Sequence, residues 1–75
     1  MDRHEEEYRK LALSISFYRK RKGLTQVQLA EKLGISRQHL NDIEAPDYPI
    51  SFSVMLLFRI ANALEVEPEA LLDFE

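Results

Sequence analysis

The chain has 75 residues, a net charge of −3 and no cysteine; a chain of that length forms one domain that buries only about 60% of its unfolded surface, without disulfides or a thiolate metal site. His4 and His39 stand too far apart in sequence to suggest a metal cluster, and the longest uncharged stretch, Tyr48 to Phe58, is only eleven residues, far short of a membrane span. The start, MDRHEEE, is charged where a signal peptide needs an apolar region, so the expectation is a soluble cytoplasmic domain that engages no membrane.

The first helix is expected over residues 5–22. Leu11 to Phe17 reads LALSISF, an alternation that could suit a strand. However, Tyr8, Leu11, Ile15 and Tyr18 also fall at helical spacing between flanks rich in Glu, Lys and Arg, so helix wins. Gly23 stops it. A second helix opens at Thr25, where TQVQ offers a capping box in which the threonine hydroxyl and Gln28 satisfy each other's backbone donors; it ends at Gly34. Ser36 is the N-cap of a third helix running to Glu44. APDYPIS is a loop, with two prolines and no helical period. Ser53 caps a fourth helix through Leu64, and Pro68 opens a fifth to about Phe74, so these two fall within 53–74. The fold class is all-α, a five-helix bundle in one domain spanning 1–75, with no internal repeat.

Residues 25–44 carry the most information. Leu29, Ala30 and Leu33 share one face of the second helix, and Leu40 and Ile43 share one face of the third. Two short helices joined by so tight a turn must cross steeply to bring those faces together. Ala30 supplies the small side chain that a close crossing needs. Gly34 supplies the positive φ of the turn, and Ile35 plugs the hinge from inside. These features define a helix-turn-helix.

Ile15 to Leu72 resembles the lambda-repressor/Cro-like (Xre-type) helix-turn-helix domains. The resemblance rests on Gly23-Leu24-Thr25-Gln26, Leu29-Ala30, Leu33-Gly34-Ile35-Ser36, Leu40, Ile43-Glu44 and the closing LLFRIANALEVEPEALL. It implies a five-helix bundle that binds double-stranded DNA by sequence and regulates transcription, commonly as a homodimer. With Leu40 and Ile43 turned inward, Arg37, Gln38, Asn41 and Asp42 turn outward or sideways. Arginine can grip guanine O6 and N7, and glutamine or asparagine can grip adenine N6 and N7. The family positions matching these four face the major groove, which makes Arg37, Gln38 and Asn41 the candidate base contacts. Asn41 could equally be a solvated residue, and His39 is taken as solvated. Phosphate contacts are expected at Gln26, Ser36, Lys22 and Thr25. The position matching Gln26 touches phosphate in the family and braces the base-reading residue beside it. The resemblance also implies a structural ion pair between Arg19 and Glu44.

Net charge argues against a polyanionic partner, but its distribution does not. Residues 19–40 hold six bases and one acid, whereas residues 41–75 hold one base, Arg59, and eight acids. Fields beyond about 8 Å are largely screened, so the local excess of +5 decides the matter. Two features depart from the family. The loop 45–51 carries Asp47 where a basic phosphate contact would be expected; Tyr48 could donate to a phosphate or cover the core. Leu13, Phe17, Met55 and Leu56 sit where polar residues are more usual, either enlarging the core or forming a patch for association. Met55, Leu56, Leu72 and Phe74 are candidate dimer contacts, with Leu13 and Phe17 a rival patch.

Two function classes remain. One is a DNA-binding transcriptional regulator, most simply a repressor. The other is a protein-interaction module, such as an antitoxin or anti-repressor, on the same fold. An enzyme is not expected: no nucleophile–base pair or phosphate-binding glycine loop is present. No cofactor, metal or small-molecule ligand is implied, nor is a second, ligand-sensing domain.

Overall fold

A computed structural model describes residues 4–47, 50 and 52–73. Its helices are α1 (Glu5–Arg21), α2 (Gln26–Leu33), α3 (Arg37–Glu44), α4 (Val54–Leu64) and α5 (Pro68–Leu71). There are no strands among the described residues. The starts of α2 to α5 follow from local chemistry, whereas α1 opens without a side-chain cap, on three acidic residues, Glu5, Glu6 and Glu7. The Thr25 hydroxyl accepts from the Gln28 backbone N–H at 3.1 Å while the Thr25 N–H donates to the Gln28 side chain at 2.8 Å, a closed capping box. Ser36 caps α3 by accepting from His39 N–H, and Ser53 caps α4 by accepting from Leu56 N–H, both at 3.0 Å. Pro68 stands at the start of α5, where its missing N–H costs nothing. Helix α5 ends at Leu71, shorter than the expected run to Phe74; Phe74 and Tyr48 lie outside the described residues.

The core sits where α1 packs on α3, α4 and α5 and α2 packs on α3 and α4. Ile15, Leu29, Leu33, Leu40, Ile43, Ile60 and Leu71 are its fully buried large side chains. Ala30 is buried at the junction of α2 with its neighbours, and Ile35 packs against the core from the turn. Leu13 and Phe17 lie on the side of α1 away from Ile15 and are each about half exposed, so they do not enlarge the core. Phe17 meets Tyr18 edge to face, with ring centroids 5.1 Å apart.

Leu56 corrects the sequence reading. It is buried against Ile60 and Leu64, one and two turns on, while Met55 is 71% exposed. Adjacent residues on a helix differ by about 100°, so the face that buries Leu56 turns Met55 outward. Leu56 belongs to the core and offers no contact surface.

Gly34 takes φ +70° and closes α2 with hydrogen bonds from its own N–H to Glu31 and from Ile35 N–H to Ala30. A Cβ built at Gly34 would meet nothing nearer than an Arg59 guanidinium nitrogen at 3.8 Å. Space is therefore ample, and strain comes from the backbone alone. Gly34→Val is expected to destabilise the domain by more than about 1 kcal/mol, since a β-branched residue is strained at positive φ. An unchanged midpoint of thermal unfolding would contradict this.

Candidate nucleic-acid interface

The candidate site is the outward face of α3, and it is built from the inside out. Arg19 and Glu44 are 8% and 7% exposed. Arg19 Nε donates to Glu44 Oε2 at 2.8 Å and Nη2 donates to Oε1 at 3.0 Å, a bidentate pair between α1 and α3. The remaining terminal nitrogen, Nη1, donates to the Leu24 carbonyl at 2.7 Å, so one guanidinium also ties down the connection into α2.

Glu44 carries the order one layer further out. Its Oε1 accepts from Gln26 Nε2 at 3.2 Å, and the same nitrogen lies 3.4 Å from Asn41 Oδ1. A carboxylate can only accept, so the Gln26 amide must turn its nitrogen inward. Asn41 then gives its oxygen to Gln26 and keeps its NH₂ turned away. The residue Gln26 meets is thus Asn41, and its side-chain donors are directed into the protein. Its backbone N–H, at the first position of α2, remains one of the orphan donors of a helix start.

Arg37, Gln38, His39, Asn41 and Asp42 are all exposed on α3. Gln38 donates to Asp42 Oδ1 at 3.0 Å. Thr25 and Ser36 accept backbone N–H groups as caps, which leaves each hydroxyl hydrogen available to donate outward.

Lys22 does not join this face. Its ammonium pairs with the Glu65 carboxylate and lines an open pocket with Lys32, Arg59 and Asn62, where α1, α2 and α4 end. The hydrogen bond and charge of Lys22 hold the Glu65 carboxyl below the usual carboxylate range. The phosphate contact expected from Lys22 would compete with this pair, whose partner lies 43 positions away and is largely exposed, and exposed pairs are worth little. The loop after α3 is likewise held by the chain itself, with Arg9 Nη1 donating to the Pro46 carbonyl at 2.7 Å and reaching Asp47 Oδ1 at 4.0 Å. Met55 and Leu72 remain exposed on α4 and beyond α5. Among the described residues no cluster of His, Asp or Glu could hold a metal ion, and no helix is long and apolar enough to cross a membrane.

A family model described as helix-turn-helix matches residues 15–71. The chain belongs to this family, in its lambda-repressor-like (Xre-type) form. It is 44% identical over 61 residues to the immunity repressor protein of Bacillus phage phi105, covering 81% of this chain and 41% of that protein. It is 47% identical over 47 residues to an uncharacterised HTH-type transcriptional regulator of Methanothermobacter thermautotrophicus, covering 63% of this chain and 65% of that one. The chain thus spans about two fifths to two thirds of the length of these curated relatives. Among solved structures it superposes on the restriction-modification controller protein C.AhdI from Aeromonas hydrophila with a TM-score of 0.77 and 28% identity, over 85% of this chain and 94% of that one. It superposes on SinR, the master regulator for biofilm formation, solved in complex with DNA, with a TM-score of 0.75 and 33% identity, over 84% and 98% of the two chains.

Within this helix-turn-helix chain two contacts were not named from the sequence: Gln26–Asn41, anticipated only as the family's bracing of an unspecified base reader, and Gln38–Asp42. The second could have been found, since a residue pair at i, i+4 on an exposed helix face meets by geometry. The first joins two helices and has no local signal.

Loss of the ion pair should be costly. Glu44→Ala leaves the Arg19 guanidinium buried without its carboxylate, and removing one partner of a buried pair costs about 3–5 kcal/mol. Chemical denaturation should show that loss. A change below about 1 kcal/mol would mean that the pair contributes little.

Proposed function

We propose that this chain binds double-stranded DNA by sequence and regulates transcription as a repressor, with α3 in the major groove. The observation that carries the reading is the strip of Arg37, Gln38 and Asn41, exposed on a helix whose opposite face, Leu40 and Ile43, is locked into the core. In a helix-turn-helix the second helix lies in the groove with its N-terminal residues on base edges, and Arg37 is the first residue of α3. Its guanidinium fork fits guanine O6 and N7. The Thr25 and Ser36 hydroxyls and the Gln26 backbone N–H are placed to take phosphate oxygens, helped by the positive ends of α2 and α3.

The relatives support the same reading: one is an immunity repressor, and SinR was solved on DNA. The protein works in the cytoplasm, has no enzymatic activity and acts as a homodimer. Met55 and Leu72 remain as dimer contacts, and Val54 and Phe58 add exposed apolar area on α4 beside Met55.

A second reading, a protein-interaction module of the antitoxin or anti-repressor kind, is favoured by one observation. Leu13 and Phe17 form an exposed apolar pair one turn apart on the back of α1. Gel shifts against genomic DNA fragments separate the two readings, since a pure protein-binding module would retard no fragment selectively.

Replacing the arginine tests the mode of reading. Arg37→Ala should weaken the preferred site by about 1–3 kcal/mol and relax the choice of one base pair, with a much smaller effect on random DNA. Equal losses on operator and random DNA would make Arg37 a phosphate clamp and remove it from the set of base readers.

A further inference from the structure

We infer that Asp42 is a positioning residue for base choice: its carboxylate fixes the Gln38 amide in the orientation that matches adenine and excludes the one that matches guanine. The inference rests on the reading of α3 as a major-groove helix. Gln38 Nε2 donates to Asp42 Oδ1 at 3.0 Å across one helical turn, on the exposed face of α3. Because an ionised carboxylate offers no donor, this contact has one polarity only. It holds the amide nitrogen toward Asp42 and occupies one of its two N–H groups. What Gln38 can still offer a base is one N–H and one carbonyl oxygen.

Adenine presents N7 as an acceptor and its N6 amino group as a donor, so one N–H and one carbonyl pair with it completely. Guanine presents two acceptors, N7 and O6, and would need both amide N–H groups. Asp42 withholds one of them. An unrestrained glutamine could rotate to satisfy either purine.

The position of Asp42 is otherwise unfavourable on two counts. It lies in the last turn of α3, where a negative charge opposes the helix dipole. It also faces outward beside the proposed polyanion. It forms no ion pair with a described residue, in contrast to Glu44, which Arg19 holds. Its one described side-chain partner is Gln38.

The test is selection of bound sequences from a random duplex pool by the whole chain, wild type and variants. Wild type should enrich adenine at one base pair that Gln38→Ala relaxes. Asp42→Ala should relax that same base pair, lowering the preference for adenine over guanine by about five- to tenfold, and the double variant should go no further than Gln38→Ala. Asp42→Asn loses the charge but keeps an acceptor, so it should retain more of the preference than Asp42→Ala. Both Asp42 variants should bind random DNA somewhat better, which separates the charge effect from base choice. The inference is overturned if Asp42→Ala keeps the wild-type preference. It is overturned equally if the relaxed base pair differs from the one Gln38 reads, because Asp42 would then contact cytosine N4 directly. A wild-type chain that enriches no motif would overturn the major-groove reading itself, an outcome distinct from a motif that Asp42→Ala leaves intact.

Discussion

The Arg19 guanidinium makes three hydrogen bonds, two to Glu44 and one to the Leu24 carbonyl, and with them it joins α1, the entry to α2 and the end of α3. Two charges removed from water cost several kcal/mol each unless their geometry is excellent. Here the geometry is bidentate, and the pair fixes the axial position of α3 relative to the rest of the bundle. Leu40 and Ile43 hold the apolar face of α3 in the close-packed core, and the ion pair adds a directional constraint at the end of the helix. On the outer face, order passes from that pair to Gln26 and then to Asn41.

The same interactions change how the charge pattern is to be understood. Arg9, Arg19, Lys22 and Arg59 are each committed within the chain, to Pro46 and Asp47, to Glu44 and Leu24, to Glu65, and to the Leu33 carbonyl respectively. Two of the six bases in residues 19–40 are therefore neutralised by acids from residues 41–75. The sequence-level contrast between a basic and an acidic half overstates the positive field of the folded protein. Lys20, Arg21, Lys32 and Arg37 make no ion pair with a described residue and carry what field remains. Counterion release scales with the phosphates neutralised.

The helix starts and the hinge were legible because their causes are local. A cap and its partner lie three residues apart, as in Thr25 with Gln28 and Ser36 with His39, and Gly34 needs only its own φ. The five helices and their order follow from such signals. What escaped depends on contacts distant in sequence or on helical phase. Lys22 meets Glu65, the residue that closes α4, across 43 positions, and nothing local in the basic run announces that pair. Met55 and Leu56 are equally apolar neighbours, and only the packing of α4 decides which one is buried. Arg19 and Glu44 are 25 positions apart, and nothing local pairs them; their pairing was anticipated through resemblance to a family. The polarity of the α3 amides was not legible at all, since a glutamine or asparagine can present either edge until an acceptor-only neighbour fixes it.

The proposed major-groove face of α3 is backed by the buried Arg19–Glu44 pair. A crystal structure of the chain bound to a duplex carrying its selected site tests that most directly. The expected result is Arg37, Gln38 and Asn41 on base edges, the Arg19–Glu44 pair intact behind them, and two copies whose α3 helices stand about 34 Å apart on a palindromic site. A duplex held by another face, with α3 turned to solvent, would contradict it.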